Sequence, residues 1–480
     1  IFSGHVHGTR IADYKGIFNC NSTTLKMGAI DRTPRGFQMV SVDHQTLRTK
    51  QFLGGSAKQF TQAEAAAERV GSAPLITTEG APTPKAGADW PMAHGDAQSS
   101  GIAKDTVAVP LAPAWSAYAG GIVHMGSPIV HQGRVFVGTL YVDDFNQRGL
   151  TCLDAATGKR LWRATLDGCV KNTPAAGDGK VYVQTLVGSV YCLNAADGWE
   201  NWKQSVGEPA VRWEIAAPKL ADGVLYVGTG NHFTALNAKD GSFVWSNKFV
   251  TGTALPGGDP RFLERANVIH DDWWPSCYQS AAVGKDTVFL GGRTGLHAID
   301  RKTGKLLAGL KPLETKARAP ALPLLSGARL YAGMGRLIGF PGTDLTAKTM
   351  CQSEALIGDQ TGTPAVSQGI AVFGTAAGEI VGADAETGKT VWKVQTGKAI
   401  VSMLPYQRNE STVSGSPAIS GSTVFIGGCD GVLYAIDLKT GNVLDKHDLG
   451  VPISSSPAVS GNAVFVAGFD GRVRCFTSRK

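Results

Sequence analysis

The stretch TCLDAATGKRLW, Thr151–Trp162, decides the fold, because close copies of it return along the chain. It recurs as YCLNAADGWENW (Tyr191–Trp202), TALNAKDGSFVW (Thr234–Trp245), HAIDRKTGKLLA (His297–Ala308), GADAETGKTVW (Gly382–Trp392) and YAIDLKTGNVLD (Tyr434–Asp445). Ahead of each copy stands a second block, such as SPIVHQGRVFVG, SPAISGSTVFIG or SPAVSGNAVFVAG. Aligned on its proline, this block falls at Pro128, Pro174, Pro218, Ala281, Pro323, Pro364, Pro417 and Pro457. The steps are 40 to 46 residues, lengthened to 63 and 53 by two insertions. Eight units result.

Each unit reads as four strands. The Ser-Pro-Ala-Val block is strand A, the VFVG-like run is strand B, the LxALD-like run is strand C, and strand D ends at the tryptophan. The turn between C and D has a physical cause. Asp or Asn closes it through its own side chain, and glycine supplies the positive φ that the reversal needs. Antiparallel four-stranded units of this period predict a β-propeller. The eighth unit has strands A to C (RVRCF is the third) and then runs out, whereas PLAPAWSAY (Pro110–Tyr118) precedes unit one with Trp115 in a strand-D place. The sequence therefore predicts an all-β, eight-bladed ring of four-stranded blades whose last blade is completed by an N-terminal strand.

Composition agrees. The 61 glycines suit turns and strands, and charged residues are only 18% of the 480. Net charge is +7, of which residues 1–60 carry +5 (eight Lys/Arg against three Asp/Glu), so the large domain offers no basic stripe for nucleic acid. No apolar run reaches the ~18 residues of a membrane span, and no signal segment is visible. The eight cysteines include no CxxC and no adjacent pair.

These repeats resemble the pyrroloquinoline-quinone-type propeller family, which includes quinoprotein alcohol dehydrogenases and outer-membrane assembly lipoproteins. The resemblance covers about residues 88–480 and specifies blade type far more than activity. It implies that Trp115, Trp162, Trp202, Trp245 and Trp392 pack between blades. The quinoprotein enzymes of the family pair a vicinal disulfide with calcium-binding carboxylates, and this chain has no Cys-Cys. Cys152, Cys192 and Cys475 share a strand-C place filled elsewhere by Ala235, Ala298, Gly382 or Ala435, so a small core residue is the reading for them. No quinone is expected. The run GMGRLIG (Gly333–Gly339) has the wrong glycine spacing for a dinucleotide fingerprint and reads as a turn between strands B and C.

Residues 1–52 show no blade pattern. SGHVHG (Ser3–Gly8), followed by strand-like GIFNCNS and GFQMVSVD, resembles the C-terminal end of calcineurin-like metallophosphoesterases, an α/β fold. In that family Gly-His-x-His delivers both imidazoles to a two-metal centre, and paired ions activate a hydroxide and clamp phosphoryl oxygens. By resemblance, His5 and His7 are metal ligands. The family's other ligand motifs lie upstream of this one, and the HGD at His94–Asp96 is no substitute. The expectation is an incomplete site for two divalent ions, in a piece of a longer protein; an ordinary surface turn is the alternative. Residues 53–88 read as an Ala/Pro/Gly/Thr linker with a short helix at Gln62–Val70, and 89–480 as the propeller.

Propellers take ligands on the loops joining strand D of one blade to strand A of the next. Ahead of strand A, units seven and eight are bland. Unit one has His124, unit two Lys171 and Asn172, unit three Arg212, Trp213 and Glu214, unit four His270, Asp271, Asp272, Trp273, Trp274 and Tyr278, and unit five Lys316 and Arg318. Cations, carboxylates and indoles there suit an acidic sugar, by stacking and by guanidinium–carboxylate pairing. Equally, they suit polar groups tied to one another. A lyase reading would make His270 or Tyr278 the base beside Arg212 or Arg318. The reading taken forward is a non-catalytic module for a glycan or protein partner, monomeric and, by resemblance, bacterial and exported to the periplasm or beyond. Phosphoester hydrolysis by an intact parent and a glycan-active funnel are its alternatives.

Overall fold

The computed structural model describes residues 75–479, apart from 124–125, 141–147, 208–214, 230–231, 248–280, 293–294, 311–321, 358–361 and 401–412. Ahead of residue 75 it describes only the backbone of strands Arg10–Tyr14, Ile17–Asn21, Gly36–Val42, Leu47–Leu53 and Gln59–Phe60. The expected helix at Gln62–Val70 lies outside the described residues.

The described residues form eight consecutive antiparallel sheets, each with its strands in the order A-B-C-D. Blade one is Ile129–His131, Arg134–Thr139, Gly149–Asp154 and Arg160–Thr165. Strand A of every blade touches strand A of the next, and blade eight touches blade one, so the ring is closed. The closing device is the expected one. Strand C of blade eight, Arg472–Ser478, pairs with Leu111–Tyr118, which supplies its fourth strand. One part of the expected linker belongs to the propeller instead. Ile76–Thr77 adds a fifth strand outside Leu111–Tyr118, and Lys85 N–H donates to Asn462 Oδ1 of blade eight at 2.7 Å. A Pro-rich composition does not reveal such a segment, because its partners lie at the far end of the chain.

The turns show why the repeat motif is so constant. In blade one, Asp154 Oδ1 accepts the Thr157 N–H at 2.8 Å and its hydroxyl at 2.7 Å, and Gly158 takes φ +70°. The same arrangement recurs at Asp300, Asp384 and Asp437. In five blades the small strand-C residue faces the strand-D tryptophan: Cys152 with Trp162, Cys192 with Trp202, Ala235 with Trp245, Gly382 with Trp392 and Cys475 with Trp115. A larger side chain would collide with the indole. The indole then lies on the turn glycine of the next blade (Trp162 on Gly198, Trp202 on Gly241). Its Nε1 donates to a carbonyl there: Trp115 to Ala155 at 3.1 Å, Trp162 to Ala195 at 3.2 Å, Trp392 to Leu438 at 2.9 Å. Aliphatic residues of facing sheets, such as Ile129 and Leu150 against Val181 and Val183, fill the remaining space. Blade seven departs for a reason. Blade eight has no C–D turn to receive an indole, so the position holds Asp445, whose carboxylate accepts Leu111 N–H at 2.7 Å where the closing strand enters.

Candidate functional site

Strand A lines the axis, so the ends of the A strands define the two mouths of the central channel. One mouth is occupied by the chain itself. Residues 89–107, just ahead of the closing strand, run past the blades in numerical order and bond to them one after another. Trp90 bridges Val130 of blade one. Pro91 O accepts Ala176 N–H of blade two at 2.7 Å, and Ala97 O and Gln98 O accept Val283 N–H and Leu325 N–H of blades four and five. Gly101 passes against Ala365 of blade six. Gly101 O accepts Ile419 N–H of blade seven at 2.8 Å, and Asp105 Oδ2 accepts Gly461 N–H of blade eight at 2.6 Å. In blade three the contact is a buried ammonium. Lys219, with no solvent exposure, donates from Nζ to the carbonyl oxygens of Ala93 and Asp96. Burial pulls its amine down to about 7, against the opposing pull of Asp96.

At the centre of this strap stands His94, 4% exposed. Its Nδ1 lies 2.7 Å from Ser99 O and its Nε2 3.0 Å from Pro417 O of blade seven. Desolvation, helped by the Lys219 ammonium, lowers the imidazole to about 4, while the two carbonyls and Asp96 act in the other direction. The HGD that offered nothing to a metal site is therefore a stopper across the channel.

A second polar layer rings the channel one residue before the strand-A prolines. Thr363 N–H donates to Ser416 Oγ at 2.9 Å, Ser416 N–H to Ser456 Oγ at 2.8 Å, Ser456 N–H to Ser127 Oγ at 2.8 Å and Ser127 N–H to Thr173 Oγ1 at 2.9 Å. Backbone and hydroxyl thus stitch blades six, seven, eight, one and two head to tail. The stitching changes at blade three. The equivalent residues are Ala217 in blade three and Leu322 in blade five, which have no hydroxyl to accept with. Amide side chains of blade two take over: Asn172 Nδ2 donates to Ala216 O at 2.9 Å and Gln184 Nε2 to Gly228 O at 3.1 Å. Both amides are buried, and Asn172 Oδ1 and Gln184 Oε1 have no partner among the described residues. Leaving a buried acceptor unpaired costs roughly 1–3 kcal/mol. Beside them Lys171 is 3% exposed.

Lys171 and Asn172 are the two sequence-derived funnel residues that fall among the described ones. His124, Arg212, Trp213, Glu214, His270, Asp271, Asp272, Trp273, Trp274, Tyr278, Lys316 and Arg318 lie outside them, as do His5 and His7. Sequence reasoning missed His94, Lys219 and Gln184. It also missed a group on blade two in which Asp167 accepts from Thr185 at 3.0 Å, from Ser189 at 2.6 Å and from Lys203 at 2.9 Å. Single polar residues inside strand patterns carry no motif, and none of these groups is contiguous in sequence.

The fold and this channel define the class: an eight-bladed propeller with one mouth strapped shut and an irregular sector on the other. The chain belongs to the outer membrane protein assembly factor BamB family, whose model matches residues 100–256 and 348–480. An assembly factor of this name from Xanthomonas campestris is 25% identical over 352 residues, covering 68% of this chain and 76% of that protein. Quinohemoprotein alcohol dehydrogenase ADH IIB of Pseudomonas putida is 28% identical over 170 residues, 31% of this chain but only 24% of the enzyme. The assembly factor of Nitrosomonas eutropha matches over 27% of its length. Among solved structures, BamB from Moraxella catarrhalis superposes with a TM-score of 0.55 at 16% identity, covering 77% of this chain and all of that one. The quinohemoprotein alcohol dehydrogenase of Comamonas testosteroni gives 0.58 at 16% identity, over 81% and 80%. These superpositions establish the fold.

The dehydrogenase likeness raises the question of a quinone and its metal. Among the described residues no three His, Cys, Asp or Glu side chains converge on a point. The six described cysteines are buried, and no two of them are adjacent in sequence as a vicinal pair requires. Twelve of the funnel residues read from sequence lie outside the described ones, and no catalytic step is derived through that cofactor.

Proposed function

We propose that the propeller is a binding module that holds a polypeptide partner at its open mouth, across blades two to five, without performing chemistry itself. The carrying observation is the break in the hydroxyl ring. Five blades are stitched by one repeated bond, and the repeat lapses beside the connections that differ most from one another, 208–214, 248–280 and 311–321. A symmetric scaffold that gives up a repeated bond in one sector leaves that sector's backbone and amide groups for something else. At that break the bonds across the seam come from the Asn172 and Gln184 side chains instead. The naming of the curated relatives as outer membrane protein assembly factors favours a polypeptide over a glycan.

Titration of the intact chain with a denatured β-rich polypeptide and, separately, with an acidic oligosaccharide tests this. Polypeptide binding that weakens in Asn172→Ala and Arg212→Ala supports the proposal. Binding of the oligosaccharide alone would turn the reading to a glycan. Turnover of the oligosaccharide, lost in Arg212→Ala, would make the funnel catalytic and overturn it.

A further inference from the structure

The strap across the closed mouth is a loop whose two ends are tied together. Asp105 Oδ2 accepts Ala88 N–H at 2.6 Å and Gly461 N–H of blade eight at 2.6 Å, so one carboxylate oxygen holds both ends to the ring. Trp90 exchanges two 2.9 Å backbone bonds with Val130 at the first end, and Ala103 N–H donates to Ile419 O at 2.7 Å at the second. Residues 91–100, between these anchors, are built differently. His94 and Ser99 hold φ of 59° and 57°, the left-handed region that residues with a side chain rarely enter. Such a backbone persists only where its surroundings over-determine it.

Three strand-A N–H groups and the Ser99 hydroxyl on Ala281 O supply part of that hold. Two buried bases supply the rest. Lys219 of blade three has no exposure, and His94 is 4% exposed. Both face carbonyl oxygens: Ala93 and Asp96 for Lys219, Ser99 and Pro417 for His94. The acid on the same turn is engaged elsewhere, because the Asp96 carboxylate accepts the Ser100 N–H at 2.9 Å and the Ser100 hydroxyl. Among the described residues, the ionisable groups that act on His94 are Lys219 and Asp96, and the one that acts on Lys219 is Asp96. A buried charge without a bonded counter-ion is costly, whereas the same amine and imidazole take a proton readily in water. Lifting residues 91–100 gives both groups to solvent and leaves the anchors in place.

We propose that residues 91–100 form an acid-opened gate on this mouth of the channel, in which protons taken up by Lys219 and then by His94 favour the lifted strap while the ring of blades stays closed. The direction follows from where the protons go. Seated, Lys219 is pulled from 10.5 to about 7 by burial, and His94 from 6.5 to about 4 by burial and by Lys219. Lifted, both return to their ordinary values. Opening therefore takes up one proton between pH 10.5 and 7 and another between pH 6.5 and 4, and each pH unit of acid inside a window raises the opening constant about tenfold. This local opening is distinct from unfolding of the ring, because it breaks no bond within a blade.

The test is hydrogen exchange of the intact chain, followed by mass spectrometry, at pH 8, 7, 6.5 and 4.5. Rates are expressed as protection factors, which divide out the pH dependence of a free amide. Peptides spanning 91–101 report the strap through amides such as Gly95 and Gly101, which donate to Met92 O and His94 O. Peptides spanning Arg134–Thr139 and Thr423–Gly427, strand B of blades one and seven, report the ring. Strap protection is expected to lie at least about tenfold below that of strand B at every pH. It should fall about tenfold from pH 8 to 7 and about a hundredfold from pH 6.5 to 4.5. Lys219→Met should remove the first fall and His94→Gln the second; if either variant fails to fold, the parent's two falls still decide. Strap protection equal to that of strand B would mean that the strap leaves only when the ring unfolds, and overturns the proposal. Strap protection that does not change with pH overturns it as well.

Discussion

The imidazole of His94 meets the carbonyl oxygen of Pro417 at 3.0 Å, although 323 residues separate them in the chain. The strap reaches His94 between its contacts with blades two and three, and Pro417 belongs to blade seven, so this one side chain spans the channel. With Lys219 anchoring the same turn of the strap, this end of the channel is closed by the chain itself.

The stopper depends on a glycine. Gly101 has φ +71°, and a Cβ there would run into the His94 ring and Ala365. Gly101→Ala is expected to cost about 2–4 kcal/mol, from a strained positive φ together with a clash in a closed space. Urea unfolding checks this. A midpoint shift no larger than that of an Ala substitution at exposed Gly80, whose Cβ position is open, would contradict it.

Acid should loosen the same end of the ring. The His94 imidazole is lowered from 6.5 to about 4 by burial and by Lys219. Between those values the unfolded chain binds a proton at residue 94 that the folded chain refuses, so unfolding takes up a proton and stability falls as pH falls. The contribution is complete above pH 6.5, is lost progressively on the way down to about 4, and amounts to about 3 kcal/mol. Lys219, lowered only to about 7, is charged in both states over most of that window and adds little slope there. Urea midpoints from pH 7 to pH 4 should show the slope in the parent and a shallower one in His94→Gln.

Trp202 on strand D of blade two and Trp199 in the turn before it should behave differently. Trp202 packs on Gly241, donates to Ala238 O at 3.2 Å and lies 6.0 Å from the Tyr182 ring. Trp202→Ala is expected to cost about 2–3 kcal/mol, less than a fully buried indole because Trp202 is half-buried. Trp199, three residues earlier, is 77% exposed, and Trp199→Ala should change stability by less than about 0.5 kcal/mol. Equal effects at the two positions would mean that the inter-blade contact does not carry the stability assigned to it.

The sequence by itself determined the blades. Their strands, the Asx-turn with its glycine, the small residue opposite each indole and the closing strand at Trp115 are local patterns repeated in register, and each unit can be read against the others. Even the exception at Asp445 follows once the ring is known to close there. Tertiary structure alone decided the channel. Trp90, His94, Gly101 and Asp105 lie on one short non-repeating segment, and what they do is set by residues 40 to more than 300 positions away. The hydroxyl ring is similar: Ser127, Ser416 and Ser456 look bland as single serines, and only closure places each beside the N–H that it accepts. A repeat can be recognised in one dimension because every unit restates the same local physics. A seam between units, or a strap that touches every unit once, is written in no single unit and exists only when the ring has formed.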